Sequence, residues 1–362
     1  MSATAPAPAL ARRPKGTASI DELGQFTDII DVRSPAEFAD DHIPGALSCP
    51  VLDNEQRIEI GTLYKQVSPF AAKKLGAAYV SRNIADHIAH KFQHHDRNWR
   101  PLIVCWRGGQ RSGAMTTVLR SVGWDACQLE GGYKVFRSHV LARLDHRPAD
   151  LNFRLVTGPT GSAKTRILQA IGRQGGQILD LEALACHKGS VLGADPEQQQ
   201  PSQKWFETQI WQALENFSPE QPVFVESESR KIGRLRLPEA LFVAMRQSPC
   251  VDIEATPAAR IAFLRDDYAH FLTHPTVLKA HLDALRPLLG HELVSHWHQL
   301  IDAGQFSELI DSLLVSHYDP LYARARQRDH DSAPRQPFPT EQLDAAAVDR
   351  LAEQILQQTH RP

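Results

Sequence analysis

Short apolar runs alternate along the chain with segments in which apolar residues recur at helical spacing. In the first third of the chain, the runs at residues 27–32 and 101–104 predict buried strands, and residues 70–95 have the spacing of a helix. Residues 34–37 (SPAE) have the pattern of a capping box, which predicts a helix that begins there. Another helix is predicted from about residue 112 to residue 121.

The same alternation continues after residue 150. Residues 255–325 and 341–358 have mostly helical spacing, whereas residues 329–339 are interpreted as a polar, proline-containing tail. Because strands alternate with helices, we predict an α/β fold with mostly parallel sheets. Four more apolar runs predict strands, at residues 153–157, 177–179, 222–225 and 251–253.

Composition and length are those of a soluble protein with two domains. The 362 residues are 42% hydrophobic and 23% charged, which suits two domains of ordinary size. Residues 146–150 (HRPAD) interrupt the pattern, so we predict a flexible tail at 1–14, a first domain at 15–145, this linker, and a second domain at 151–362. No run approaches the roughly 20 apolar residues that cross a bilayer. We expect a cytoplasmic monomer that does not contact membranes.

Cysteine usage and charge narrow the classes of partner. The five cysteines are scattered and form no C-x-x-C pair, which argues against a disulfide framework or a zinc site and favours a reducing compartment.

The formal net charge is −2, so any RNA contact must use local basic clusters. Solvated surface is the alternative role for such clusters. The candidates are Arg230, Lys231, Arg234 and Arg236, and farther on Arg324, Arg326 and Arg328.

A polar, glycine-containing loop follows the predicted strand at 101–104 and begins with Cys105. Backbone N–H groups converge where a strand ends and a helix begins, and they favour both a thiolate and a bound anion. Arg107 and Arg111 add positive charge to the same loop. An inert buried cysteine is the alternative, which the polar loop fits poorly. The other candidates for the anion-binding loop are Trp106, Gly108, Gly109 and Gln110.

A phosphate loop is predicted at residues 158–165 (GPTGSAKT). It fits G-x-x-x-x-G-K-[ST] except for Ala163, and it has the required strand before it and helix after it. Lys164 would reach terminal phosphates and Thr165 could ligate Mg²⁺. The phosphate-binding candidates are Gly158, Thr160, Gly161, Ser162, Ala163, Lys164 and Thr165. Carboxylates at the ends of neighbouring predicted strands are candidates to position a metal or water, namely Glu226, Asp180 and Glu182.

Several motifs carry a resemblance to known families. Residues 31–38 (DVRSPAEF) and 41–46 (DHIPGA) resemble the N-terminal signature of rhodanese domains, in which Asp31 and Arg33 would brace the fold. Residues 105–109 (CWRGG) resemble the active loop of the bacterial tRNA 2-selenouridine synthases. The resemblance covers about residues 15–325 and includes residues 61–66, 180–182, 187–190, 192–193, 201–204, 225–229 and 317–320.

This resemblance implies a fold and a reaction. The fold is a rhodanese-like parallel-sheet domain followed by a P-loop NTPase-like α/β domain with a helical C-terminal region. The family replaces the 2-thio sulfur of a tRNA wobble uridine with selenium from selenophosphate, after attaching a geranyl group from geranyl diphosphate. Cys105 would carry selenium, or otherwise deliver it to C2 of the base. Our own hypothesis is that the phosphate loop, with Lys164, binds the diphosphate. No tightly bound cofactor is expected, and Trp106 could stack on the base.

Three other interpretations stay open from the sequence alone. A rhodanese-like sulfurtransferase needs only the first domain. The spacing from Cys105 to Arg111 is also C-x₅-R, which phosphotyrosine-type phosphatases and arsenate reductases share. Outside the enzymes, the chain could be a nucleotide-regulated RNA-binding module, although the intact cysteine loop argues for catalysis.

Overall fold

A computed structural model of the protein describes residues 16–187, 199–269, 274–330 and 334–359, with the side chains of residues 325–330 excepted. The predicted flexible tail at residues 1–14 lies outside these ranges, as do residues 188–193, which carry part of the family resemblance. The described chain forms two compact units. The first ends at Arg143 and also includes Pro201–Gln212, whereas the second comprises Leu144–Gln200 and Ala213–Pro362. Both are built on parallel sheets, which confirms the predicted α/β class.

Five short strands form the sheet of the first unit. They are β1 (Thr17–Ala18), β2 (Asp28–Asp31), β3 (Leu47–Ser48), β4 (Pro101–Val104) and β5 (Cys127–Leu129). All pair in parallel, in the order β1-β5-β4-β2-β3. The predicted strands at 27–32 and 101–104 are therefore neighbours at the centre of the sheet. The helices are α1 (Pro35–Asp40), α2 (Asn54–Gln66), α3 (Pro69–His87), α4 (Gln110–Val122) and α5 (Gly132–His146).

Local sequence signals set the helix ends of this unit. Ser34 is the N-cap of α1, and its backbone N–H donates to the Glu37 carboxylate at 3.0 Å, which confirms the capping box. Helix α4 begins two residues before the predicted start and ends at Gly123, whose φ of 120° is one that glycine adopts readily. These two helices follow β2 and β4, so both begin at the carboxyl edge of the sheet.

A buried ion pair holds the end of β2. Arg33 donates to both carboxylate oxygens of Asp31, at 2.7 to 3.0 Å, and both side chains are 1% exposed. Arg33 also donates to the Asp41 carbonyl oxygen and lies over the Tyr133 ring, 3.9 Å from its centroid. A buried charge is tolerated only when paired and hydrogen-bonded in this way. The contacts agree with the bracing role that the rhodanese resemblance implies for both residues.

Three more helices follow in the middle of the chain, namely α6 (Lys164–Arg173), α7 (Leu181–Ala185) and α8 (Gln203–Asn216). Most of α8 belongs to the segment Pro201–Gln212, which packs within the first unit although it lies far along the chain. The Trp205 ring stacks on His42 at 4.1 Å between centroids, and Glu207 pairs with Arg137. These contacts anchor a sequence-distant helix to the first unit.

The sheet of the second unit also has five parallel strands. They are β6 (Asn152–Thr157), β7 (Gln177–Leu179), β8 (Pro222–Glu226), β11 (Cys250–Ala255) and β12 (Arg335–Thr340). Their order is β12-β11-β6-β8-β7, and a separate hairpin consists of β9 (Lys231–Ile232) and β10 (Leu235–Arg236). The four predicted strands of this region are confirmed. Helix α6 and the C-terminal helix Ala345–Thr359 pack on this sheet, with Ile167 and Leu351 in the shared core.

The interpretation of residues 329–339 as a polar tail is wrong for its second half, because Arg335–Thr340 forms strand β12. This strand lies at the sheet edge and pairs only with β11. An edge strand tolerates Pro337 and Pro339 because one side of its backbone needs no ladder hydrogen bond. Phe338 between them is buried, which gives the strand its hydrophobic contact.

The predicted helical region between residues 255 and 325 is confirmed for its described part. After α9 (Glu239–Gln247), which lies just before it, the region contains α10 (Pro257–Asp267), α11 (Pro275–Asp283), α12 (Arg286–Leu289), α13 (His291–Asp302), α14 (Phe306–Leu313) and α15 (Asp319–His330). A separate apolar cluster around Trp297 holds several of these helices together. Among the helices that the structure describes, none is both long and apolar enough to span a bilayer.

Candidate active site

Cys105 lies at the carboxyl end of β4 and faces the start of α4. Its side chain is 3% exposed. The sulfur accepts hydrogen bonds from the Gly109 backbone N–H at 3.2 Å and from the Ser112 hydroxyl at 2.9 Å. Two donors that point at one sulfur stabilise negative charge on it, as a nucleophilic thiol requires. Ser112 was not a predicted site residue, and it is fully buried.

The cysteine loop is held against the start of α5 by close backbone contacts. The N–H groups of Tyr133 and Lys134 donate to the carbonyl oxygens of Cys105 and Trp106, at 2.8 and 3.0 Å. A Cβ atom on Gly132 would lie 2.2 Å from the Cys105 carbonyl oxygen, so only glycine fits there. Gly108 has a φ of 61° and is equally confined, because a Cβ atom on it would lie 2.7 Å from the Leu129 carbonyl oxygen. The Gly-Gly pair after β5, Gly131-Gly132, is the sequence signal for these close backbone contacts.

Arg111 is engaged by a carboxylate rather than open to an anion. Its guanidinium donates to both oxygens of Glu37, at 2.6 and 3.1 Å. Burial alone would raise the pKa of Glu37, but the hydrogen bond and charge of Arg111 outweigh it and lower the pKa to about 2. Burial alone would lower the pKa of Arg111. The Glu37 carboxylate outweighs this effect, so the pKa of Arg111 is raised. The pair is therefore charged on both sides at neutral pH.

The other predicted residues of the loop face solvent. Arg107, Gln110 and Gly109 are at least partly exposed, and Trp106 is 39% exposed, with its ring 5.3 Å from that of Tyr133. Arg107 makes no ion pair with any residue that the structure describes, which leaves it as the accessible positive charge of the loop. An exposed indole beside Cys105 offers a surface on which a base could stack.

The phosphate loop joins β6 to α6, as predicted. Gly158 and Gly161 have φ values of 152° and 85°. Ala163, at the position where the motif has glycine, also adopts a left-handed backbone with φ of 55° and ψ of 28°. That conformation costs an alanine roughly 1–2 kcal/mol relative to a right-handed one. The backbone thus takes a left-handed conformation at the position where the motif has glycine, despite the alanine there.

A further contact braces this loop from the helical region. Buried Arg260 donates to the Thr160 carbonyl oxygen at 2.8 Å and pairs with Asp319 at 2.6 Å. Ser162, which is fully buried, donates its hydroxyl to the Pro159 carbonyl oxygen at 2.7 Å. The sequence does not single out Arg260, because its partner Asp319 lies 59 residues away and no local pattern links the two residues.

Carboxylates surround the lysine of the phosphate loop. The Thr165 hydroxyl donates to Glu182 at 3.1 Å, and Glu226 is 4% exposed with its Oε1 unpaired within the described chain. Burial raises the pKa of Glu226 to about 7, although Lys164 works in the opposite direction. Burial, with the charges of Glu182 and Glu226, raises the pKa of Glu228 to about 8. Glu228 was not predicted as a site residue.

Asp180 has a different place from the other acids. One of its carboxylate oxygens accepts from the Ala183 backbone N–H at 2.9 Å, so it is the N-cap of α7. The other accepts from the Gln169 side chain at 3.2 Å. Of the acids considered from the sequence, Glu182 and Glu226 are therefore the ones that approach Thr165 and Lys164.

The raised pKa values give a stability prediction. Folded Glu226 keeps its proton up to about pH 7, whereas the unfolded chain loses it near pH 4.5. The folded state therefore binds more protons between these values, and this group lowers stability as pH rises. Relative to the natural protein, we expect Glu226→Gln to gain stability between pH 5 and pH 8, by at most about 3 kcal/mol.

Thermal unfolding measured from pH 5 to pH 8 tests this expectation. The quantity of interest is the difference in Tm between variant and natural protein, because titrating groups that do not interact with Glu226 cancel in that difference. Exposed Glu220, changed to glutamine, serves as the matched control and should show no pH-dependent difference. A constant Tm difference for Glu226→Gln across the range would contradict the prediction.

The predicted basic cluster lies on the hairpin β9–β10. Ile232 and Leu235 are buried, while Lys231, Arg234 and Arg236 lie beside them in the sequence and are exposed. Arg230 pairs with Glu239 at 2.6 Å, so its charge is partly neutralised. Arg324 is exposed on α15, whereas the side chains of Arg326 and Arg328 lie outside the described residues.

The fold and the two loops define a class of protein: one polypeptide that carries a rhodanese-like cysteine domain and a P-loop domain. Residues 17–139 match the rhodanese-like domain family, and residues 151–336 match the family described as the tRNA 2-selenouridine synthase AAA domain. The chain therefore belongs to the tRNA 2-selenouridine synthase family, which confirms the resemblance found in the sequence.

Curated relatives agree with this assignment. A tRNA 2-selenouridine synthase of Nitrosomonas europaea is 37% identical over 69% of this chain, and the match spans 65% of that relative's length. The synthase of Marinobacter nauticus is 31% identical over 86% of this chain and 92% of its own length. That of Alcanivorax borkumensis is 33% identical over 82% of this chain and 88% of its own.

Proposed function

We propose that this protein converts 2-thiouridine at the wobble position of tRNA to 2-selenouridine. The observation that carries the proposal is the pairing of the Cys105 loop and the phosphate loop in one chain of the tRNA 2-selenouridine synthase family. Selenophosphate is the proposed selenium donor and geranyl diphosphate the proposed activating co-substrate. The relatives' names support tRNA selenation, whereas both co-substrates are what the family resemblance implies, and the chemistry of the two loops is compatible with them.

The two co-substrates divide the chemistry into two substitutions. In the first, the 2-thio sulfur attacks C1 of the geranyl group, the C–O bond breaks, and diphosphate leaves. In the second, which takes two steps, the Cys105 thiolate attacks C2 of the base and the geranyl thiolate leaves; the selenium of selenophosphate then attacks C2 and releases the Cys105 thiolate, after which water cleaves the Se–P bond to release phosphate. S-alkylation is what turns the sulfur into a competent leaving group. Every atom and electron is then accounted for without an external oxidant.

Cys105 is the proposed centre of the selenium step. Its sulfur lies under two hydrogen-bond donors, and Arg107 is the accessible cation of the same loop. This arrangement suits a nucleophile that works beside the anionic selenophosphate, because the two hydrogen-bond donors and the Arg107 cation stabilise negative charge on both groups. Trp106, exposed beside Cys105, is the proposed stacking platform for the unpaired base.

The phosphate loop is the proposed site of the diphosphate. Lys164 and the loop amides would hold its charge. A Mg²⁺ ion fits the donor set beside them, because the Thr165 hydroxyl, Glu182 and the unpaired oxygen of Glu226 are the oxygen ligands that this ion prefers. When bound, the ion would neutralise charge on the departing diphosphate. The exposed basic residues of the hairpin are the proposed contacts to tRNA phosphates.

The alternative of a C-x₅-R phosphatase is disfavoured by the pairing of Arg111. Such an enzyme needs the arginine free to clamp a phosphoryl group, whereas here Glu37 accepts hydrogen bonds from both of its terminal nitrogens. A rhodanese-like sulfurtransferase is the other alternative. It would explain the cysteine loop but would leave the phosphate loop without a role.

Nucleoside mass spectrometry of tRNA tests the proposal. In cells that lack the protein, we expect the wobble 2-selenouridine to disappear and its 2-thiouridine precursor to accumulate. Supplying the gene again should restore the selenated nucleoside. A wobble nucleoside profile that does not change on deletion would contradict the proposed function, and loss of 2-thiouridine itself would favour the sulfurtransferase alternative.

A further inference from the structure

The hydroxyl of Ser112 has a defined hydrogen-bond direction, which is set by Gln128 on β5. The Gln128 amide nitrogen lies 2.9 Å from the Gly109 carbonyl oxygen and 2.7 Å from the Ser112 Oγ. A backbone carbonyl oxygen can only accept, so the group facing it must be the NH₂ of the amide. Each of its two protons then has one acceptor, and the Ser112 oxygen receives one of them.

An oxygen that accepts from Gln128 keeps its own proton for another partner. Two acceptors are near it: the Cys105 sulfur at 2.9 Å and the Gly109 carbonyl oxygen at 3.4 Å. The carbonyl oxygen is farther away and already accepts from Gln128. Ser112 is fully buried, so bulk water does not compete for the proton. The hydroxyl therefore donates to the sulfur.

We propose that Gln128 is a positioning residue for Cys105, acting through the Ser112 hydroxyl. It fixes the serine as a donor, so that the sulfur faces two donors, one from Ser112 and one from the Gly109 backbone N–H. Without Gln128 the serine proton divides its time between the sulfur and the Gly109 carbonyl oxygen. The inference depends on Cys105 as the nucleophile and is independent of which atom it transfers.

Strand pairing explains why this residue can reach the loop. Gln128 lies opposite Ile103 where β5 pairs with β4, two residues before the cysteine. Parallel neighbours end at the same edge of the sheet, which brings the side chain of Gln128 to the cysteine loop. No motif of the loop itself contains it.

The test is the rate at which iodoacetamide alkylates Cys105, followed by peptide mass spectrometry so that the other four cysteines do not contribute. Gln128→Met keeps the length of the side chain and removes the donor. We expect alkylation at pH 7 to fall by up to about tenfold, an upper bound set by the worth of one hydrogen bond to a charged atom. Exposed Thr117→Ala on α4 should behave as the natural protein.

A double variant separates positioning from general structural damage. Ser112→Ala should slow alkylation at pH 7 at least as much as Gln128→Met, and adding Gln128→Met to Ser112→Ala should change nothing more. Gln128→Glu, which can only accept, should slow the reaction further than Gln128→Met, and it provides a second measurement if the methionine variant does not fold. An unshifted pH profile in both Gln128 variants, or additive losses in the double variant, would overturn the proposal. Because no tRNA or selenium is involved, this outcome is independent of the proposed function.

Discussion

Cys105→Ser is expected to reduce the 2-selenouridine of tRNA to the level found in cells without the protein. Serine is close in size and can accept the same hydrogen bonds from Gly109 and Ser112, so the loop should keep its shape. Its hydroxyl is not ionised at neutral pH, and loss of a nucleophile typically costs a factor of roughly 10³ or more in rate. The measurement is nucleoside mass spectrometry of tRNA from cells that produce each variant.

Measuring the geranylated nucleoside in the same samples distinguishes loss of the first substitution from loss of the second. If geranyl transfer belongs to the phosphate loop, Cys105→Ser should block only the second substitution, and S-geranyl-2-thiouridine should accumulate. Half-exposed Cys186→Ser is the matched control and should keep full selenation. Selenation that survives in Cys105→Ser would refute the nucleophilic role. Loss of both the geranylated and the selenated nucleosides would instead show that the cysteine loop is needed for both steps.

The parts of the site that sequence could predict are those encoded within one short stretch of chain. The strand before Cys105, the glycines of its loop and the phosphate loop all have local signatures, and the structure has each element where it is predicted. Ala163 is informative, because the backbone still takes the left-handed conformation at that position although alanine replaces glycine. A motif can thus be built at some cost in strain.

Long-range partners could not be predicted in this way. Arg111 has the spacing of an anion-binding arginine, but its partner Glu37 lies 74 residues away, and the sequence assigns that residue only to a helix cap. Glu37 performs both tasks, since its carboxylate also accepts from the Ser34 backbone N–H. Gln128 belongs to no motif and reaches Ser112 only because β5 pairs with β4. Such contacts depend on the order of strands, which periodicity does not encode.

The edge strand β12 is a case in which local sequence preference argued against the element that forms. Two prolines in six residues argue against a strand when propensity alone is considered. The position at the sheet edge removes that objection, and the parallel pairing with β11 places Phe338 in the core. Position within the sheet outweighed local preference here.

Lys164→Ala is expected to abolish geranyl transfer while tRNA binding is retained. Lys164 offsets the charges of Glu182, Glu226 and Glu228, which all influence one another at this site. Without the lysine, a bound diphosphate would lose its attraction to the ammonium group, which is strong at such short range. We expect binding of inorganic diphosphate to weaken by about 100-fold, since two charge-assisted hydrogen bonds are lost.

Calorimetric titration with diphosphate and geranyl transfer to 2-thiouridine tRNA are the two measurements. Lys279→Ala, which removes a lysine paired with Asp302 in the same unit, is the matched control and should leave both unchanged. The alkylation rate of Cys105 should also be unchanged in Lys164→Ala, because the two hydrogen-bond donors to the Cys105 sulfur are Gly109 and Ser112. Unaltered prenyl transfer would exclude the phosphate loop as the diphosphate site. Lost transfer with undiminished diphosphate binding would place Lys164 in the departure of the leaving group, because ground-state binding would then not depend on its charge.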